Sequence, residues 1–243
     1  MNNLSFFNYL NVFWFALLPY VSLVVFFLVT IQRYTRRGFT YSSLSSQFLE
    51  NKIHFWGLVP FHFGILAILA GHLLGFVFPA QLLKWNADIT RLYILEITGF
   101  IGGIFTLVGL INIVLRRITD AKSRITTTWA DWIVVGVLGF QVCTGLYTAI
   151  FHSWGSSWFA SSLSPYLWSV LQLTPDIAYV TPLPLFVKLH IIGAYAIIFL
   201  FPFTRLVHVL VVPNPYLWRK PQMARWNWDR KTIRTPGFQV PKR

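Results

Sequence analysis

Charge is scarce in this chain of 243 residues: only 11% are Asp, Glu, Lys or Arg, and seven of those are acidic. With 56% hydrophobic residues and a positive mean hydropathy, it is not an ordinary soluble domain, and its apolar runs are long enough to cross a bilayer. Cysteine is scarcer still. The single Cys143 lies in an apolar run, which excludes an internal disulfide and a CxxC metal or haem c site. It is expected as a small buried side chain. No basic segment precedes the first apolar run at Met1-Asn2-Asn3-Leu4-Ser5, so that run is expected to stay as a membrane span rather than be cleaved. What is plentiful is positive charge, with 20 Lys and Arg and a net charge of +13. These residues sit between the apolar runs and at the C-terminus, not as a stripe on a soluble surface, which argues against a nucleic-acid partner.

A window of about 20 apolar residues selects five spans, at 11 to 31, 55 to 78, 92 to 115, 130 to 150 and 184 to 211. The fold class expected is therefore an all-α integral membrane protein, a bundle of five transmembrane helices. Arg33, Arg36, Arg37 and Lys52 follow the first span, Arg116, Arg117, Lys122 and Arg124 the third, and Arg219 onward the fifth. The opposite side has only Lys84 and Arg91 in one short loop and no Lys or Arg in 151 to 183. The positive-inside rule then puts the N-terminus outside and the C-terminus in the cytoplasm. The Ser-, Trp- and Pro-rich outer segment, 151 to 183, is expected at the headgroups with a short helix of its own. One domain, 1 to 218, is followed by a basic, Trp-containing tail, 219 to 243. Pro19 and Pro202 interrupt the first and last spans, where neighbouring helices must satisfy the carbonyls they free. Thr128 and Asp131 have the spacing of a helix capping box, with Asp in place of Glu.

Of six histidines, four lie on two spans: His62 and His72 on the second, His190 and His208 on the fifth. An ionisable group inside a membrane is costly unless it is paired or functional. Two on one helix facing two on another are what bis-histidine haem ligation needs, one imidazole from each axial side. The orientation pairs His72 with His190 near the outside and His62 with His208 near the cytoplasm. On ideal helices, 18 residues between His190 and His208 give a rise of about 27 Å, whereas ten residues between His62 and His72 give about 15 Å and a rotation of about 80°. Straight cylinders cannot satisfy both pairs, and His54, 18 residues before His72, matches the fifth span better as an inner ligand. Gly64, Gly71, Gly75 and Gly193 lie near the ligands, where small residues admit a flat ring or close helix packing. Lys188 and Arg205, close in sequence to His190 and His208, are candidate partners for haem propionates.

At this point the chain resembles the gamma subunit of membrane-bound respiratory nitrate reductase, a di-haem cytochrome b. The resemblance runs from about residue 10 to about residue 220. It is carried by Phe61-His62-Phe63-Gly64-Ile65-Leu66 with Gly71-His72 and Gly75, by Thr126-Thr127-Thr128 before Ala130-Asp131, by Lys188-Leu189-His190, and by Phe201-Pro202-Phe203-Thr204-Arg205-Leu206-Val207-His208 with Val212-Pro213 and Tyr216-Leu217. It implies that His62, His72, His190 and His208 ligate two haems b, which leaves His54 an interfacial residue. It also implies a quinol site beside the outer haem, an iron-sulfur beta subunit and a molybdenum-containing alpha subunit on the cytoplasmic side, and residence in the bacterial cytoplasmic (inner) membrane. The tail Trp226-Asn227-Trp228-Asp229-Arg230-Lys231 is not part of the resemblance. It suits docking on the cytoplasmic subunits or anionic lipid.

A quinol gives up protons as well as electrons, so its site needs a proton acceptor, and the ionisable residues on the outer side are Lys84, Asp88, Arg91 and Glu96. Glu96, about one turn inside the third span, and Arg91 are the candidates, with a mutual ion pair as their structural alternative. Two other functions compete: a gamma-type cytochrome serving a nitrite oxidoreductase or a sulfur or heterodisulfide complex, and a haem-free transporter or anchor. The scarcity of other intramembrane ionisable groups argues against the transporter.

Overall fold

The computed structural model describes residues 5–36 and 55–211, and the expectations for His54 and for the tail after Arg219 lie outside those residues. The chain divides into two compact units, Met1–His208 and Val209–Arg243; of the second, only the helical Val209–Val211 is described. Among the described residues there is no strand. Lipid offers backbone groups no hydrogen bonds, so spanning segments of this composition must satisfy them internally as helices. Five stretches are long and apolar enough to cross a membrane: Asn8–Arg36, Trp56–Val77, Ile89–Thr119, Trp129–Phe151 and Leu185–Phe203. The first comprises α1 (Ser5–Val12), a π-helical turn (Phe13–Leu17) and α2 (Leu18–Arg36). Then come α3 (Phe55–Val77), the short α4 (Pro79–Asn86), α5 (Ile89–Thr119), α6 (Ala121–Ile125) and α7 (Trp129–Phe151). The outer segment holds α8 (Gly155–Trp158), a π turn (Phe159–Leu163) and α9 (Ser164–Leu171), before α10 (Leu185–Leu200) and α11 (His208–Val211).

Small residues set the helix packing. A Cβ on Gly64 would fall 2.6 Å from the Gly102 carbonyl and 2.5 Å from Thr106 Oγ1, and one on Gly109 would collide with the Phe61 backbone. Glycine at these places lets α3 and α5 lie backbone to backbone, the usual device where no hydrophobic effect drives helices together. Gly64 therefore packs helices and does not admit a ring. Gly193 does the same for α10, since its Cβ would meet the Gln141 amide oxygen and the Phe140 ring on α7. Cys143, expected buried, is exposed on the outside of α7, a lipid-facing position in a membrane.

Both prolines behave as span-breakers with named compensations. Pro19 has no N–H to give the carbonyl four residues back, that of Phe15, and the Tyr166 hydroxyl donates to that oxygen at 2.7 Å. Tyr195 donates in turn to the Tyr166 oxygen at 3.3 Å. The outer segment is thus not laid on the headgroups alone. α9 drives Tyr166, fully buried, into a core with Phe15, Val170, Val187, Ile191 and Tyr195. At the other proline the expected single helix from 184 to 211 ends early. α10 stops at Leu200, two 3₁₀ turns follow (Phe201–Phe203 and Arg205–Val207), and Thr204 between them is extended at φ −121°, ψ −179°. The carbonyls of Pro202 and Thr204 that the break exposes accept from Arg33 Nη1 at 2.7 and 3.0 Å.

Two facing histidine pairs

The break at Thr204 separates His208 from the helix that carries His190, so the straight-cylinder mismatch does not arise. His190 lies on α10 and His208 opens α11. Across from them, α3 presents His62 and His72, both of them exposed. The rings meet in two pairs. His72 and His190 have ring centres 6.3 Å apart, and His62 and His208 6.4 Å apart. These are the pairings that orientation dictates.

The protons on the rings are fixed by what each Nδ1 touches. Nδ1 of His62 lies 2.8 Å from the Leu58 carbonyl, that of His72 2.9 Å from the Ile68 carbonyl, and that of His208 2.6 Å from the Arg205 carbonyl. A carbonyl only accepts, so each Nδ1 carries the hydrogen and Nε2 keeps its lone pair. His190 reaches the same state by another route. Its Nδ1 is 3.0 Å from Thr144 Oγ1, whose single hydrogen is directed at the Phe140 carbonyl 2.9 Å away, so the hydroxyl must accept from the ring. Gln141 Nε2 lies 3.2 Å from His190 Nε2, on the lone-pair side, while its buried Oε1 has no partner. Thr144 and Gln141 were not singled out from sequence. Their signal was two polar side chains three apart on an apolar span, which share one face of a helix. Gly145 belongs with them, because a Cβ there would fall 2.9 Å from His190 Cε1.

Four imidazoles in two facing pairs, each with Nδ1 hydrogen-bonded to an oxygen, are the donor set that bis-histidine ligation of a flat metal macrocycle needs. Metal–nitrogen bonds of about 2 Å, plus roughly 1.2 Å from nitrogen to ring centre, put trans imidazoles about 6.4 Å apart. Among the described residues no three His, Cys, Asp or Glu side chains converge, so two imidazoles alone would leave a bare metal ion short of ligands. Gly71, beside His72, has nothing within 4 Å of its Cβ position. Gly75 packs instead on the Phe159 ring, at 3.0 Å from its Cβ position, and its carbonyl accepts from Ser164 Oγ at 2.9 Å. Phe159 also meets His72 edge-on, ring centres 5.3 Å apart.

The charged candidates are distributed differently. Arg205 pairs with Asp131, Nε to Oδ1 at 2.9 Å, and its Nη2 donates to the Thr126 carbonyl at 2.7 Å. Asp131 also accepts from the Thr128 backbone at 2.8 Å, completing the capping box, and lies 3.5 Å from Arg117 Nη1. Lys188 is half-buried two residues before His190. At the other end Glu96 Oε1 accepts from the backbone N–H of Ser156 at 2.8 Å and from its hydroxyl. Arg91 pairs with Asp88 at 3.9 Å and lies over the Trp85 ring, so Glu96 and Arg91 do not form the mutual ion pair. A cleft of about 410 Å³ is lined by residues that include Phe151, His152, Trp158, Pro184 and Val187. Val187 is about one helical turn from His190.

Five apolar helices and two facing histidine pairs define a multi-pass membrane protein. The chain belongs to the nitrate reductase gamma subunit family, whose pattern it matches over residues 11–227. It is 33% identical over 228 residues to the respiratory nitrate reductase 2 gamma chain of Escherichia coli, covering 90% of this chain and 98% of that protein. It is 30% identical over 208 residues to the nitrate reductase gamma chain of Bacillus subtilis, covering 84% and 93% respectively.

Proposed function

We propose that this chain is the membrane cytochrome b subunit of a nitrate reductase, oxidising quinol near the outer face and delivering electrons to cytoplasmic subunits. The observation that carries the reading is the pair of 6.3 and 6.4 Å imidazole separations, with every Nδ1 hydrogen-bonded to an oxygen. His72 with His190 would hold one haem b and His62 with His208 the other. Bound there, the haems supply one-electron redox chemistry at two depths of the membrane. The Nδ1 hydrogen bonds fix each ring's tautomer and raise its basicity toward iron. Lys188, half-buried two residues before His190, would pair with a propionate of the outer haem.

The N-terminus lies outside and the C-terminus in the cytoplasm of a bacterial inner membrane. Arg33, Arg117, Asp131 and Arg205 gather at the end that the positive-inside rule assigns to the cytoplasm. The iron-sulfur and molybdenum subunits dock at that end, as the gamma-chain relatives' family implies. The quinol head group sits in the cleft beside Val187 and His152. Each quinol oxidised would give up two electrons, passed singly to the outer haem, and two protons, both released to the outer side, one of them by way of His152. Glu96 supports the site by holding Ser156, two residues before Trp158, and Arg91 stays on the outer rim with Asp88.

The test uses membranes containing the whole complex. Menadiol should reduce bound haem b and nitrate should reoxidise it. Haem reducible by dithionite and not by menadiol would remove the quinol reading, and reoxidation by other acceptors but not by nitrate would remove the nitrate reductase.

A further inference from the structure

The segment carrying His208 is the least regular part of any span. It consists of an extended residue between two 3₁₀ turns, and such a segment has no ladder of helical hydrogen bonds to fix it. Its position must come from outside. Arg33 satisfies the carbonyls of Pro202 and Thr204 from α2, but neither carbonyl touches the histidine. The carbonyl that does is that of Arg205, 2.6 Å from His208 Nδ1. Arg205 is tied at its other end. Its guanidinium meets Asp131 at 2.9 Å and the Thr126 carbonyl at 2.7 Å, so a single residue bridges the start of α7 to the inner imidazole. Asp131 is 5% exposed, and its two oxygens engage Arg205, Arg117 and the Thr128 backbone in fixed directions.

We propose that Asp131 is the positioning residue of the inner histidine pair, holding Arg205 so that the Arg205 carbonyl orients His208 and fixes its Nδ1–H tautomer. The proposal rests on the reading of the pairs as haem ligands. It assigns Asp131 a role beyond capping α7, and it places Arg205 on a carboxylate of this chain instead of on a haem propionate. Among the described residues no equivalent bridge touches the outer pair, whose imidazoles lean on the Ile68 carbonyl and on Thr144.

The experiment compares Asp131→Asn, Asp131→Glu and Thr128→Ala in the purified complex. Haem content and the potential of each haem are read by optical redox titration, and His62→Ala and His72→Ala serve as references for the two spectra. Loss of an outer-shell partner typically weakens a metal site by about 10- to 100-fold. Asp131→Asn should weaken inner-haem retention by that factor and shift the potential of what remains, leaving the outer haem as in the unmodified chain. Asp131→Glu should restore part of the loss. Thr128→Ala removes the cap hydroxyl but keeps the Asp131–Arg205 pair, and should change neither haem. The proposal is overturned if Asp131→Asn leaves the inner haem unaltered, if both haems fall together, or if Thr128→Ala reproduces the inner loss. Two haems in the unmodified complex with an indifferent Asp131→Asn would sink this proposal alone. No haem at all would sink it together with the function proposed above.

Discussion

Replacing Thr144 by Val keeps the shape of a buried side chain and deletes one oxygen. That oxygen, 3.0 Å from His190 Nδ1, is the acceptor that holds the ring proton on Nδ1. Without it a buried N–H loses its partner, at a cost of about 1–3 kcal/mol. The ring has an escape. It can carry its proton on Nε2 and donate to Gln141, whose Oε1 is buried without a partner and lies one amide rotation from the Nε2 atom now 3.2 Å away. That tautomer removes the lone pair a metal needs. The loss should therefore fall on ligation at the outer pair, about 10- to 100-fold in affinity, while the inner pair is untouched because His62 and His208 lean on backbone carbonyls. The assay is transfer of haem from the purified complex to excess apomyoglobin, followed optically. Adding Gln141→Leu removes the competing acceptor and should recover part of the loss, a coupling that a double-mutant cycle isolates. Outer haem held as tightly in Thr144→Val as in the unmodified chain, or faster loss of the inner haem, would show that Thr144 does not set the tautomer.

Gly145→Ala places a methyl 2.9 Å from His190 Cε1 and should displace that ring, lowering outer-haem occupancy with the inner haem retained; pyridine haemochrome quantification reads it. Tyr166→Phe leaves the Phe15 carbonyl, freed by Pro19, without its donor, and should destabilise the protein by about 1–3 kcal/mol in detergent-denaturation titrations without loss of haem. Burial pushes the Tyr166 phenol above its ordinary pKa of 10.0. Its contribution to stability is therefore complete below pH 10 and declines as pH rises beyond that, a decline that Tyr166→Phe should diminish.

Span order alone pairs His72 with His190 and an inner histidine with His208, but the choice of His62 over His54 as that inner partner rested on the family resemblance, since ideal helix geometry favoured His54. The capping box was legible because Thr128 and Asp131 interact within one turn. What escaped depends on contacts between residues far apart in sequence. The Arg205–Asp131 pair joins residues 74 positions apart. The alternative of a Glu96–Arg91 ion pair is not what forms, because the Glu96 oxygen reaches Ser156, 60 positions on. Periodicity also could not show that Pro202 ends α10, because Phe201 to Val211 is apolar enough to read as helix. The burial of Tyr166 was not legible either: its partner is a carbonyl, which no side-chain pattern reveals.

The most direct measurement is the reduced-minus-oxidised optical spectrum of the purified complex with pyridine haemochrome quantification. Two non-covalent haems b per chain are expected, one lost in each of His72→Ala and His208→Ala. Absence of haem, or loss of both or neither in those variants, would contradict two independent bis-histidine centres.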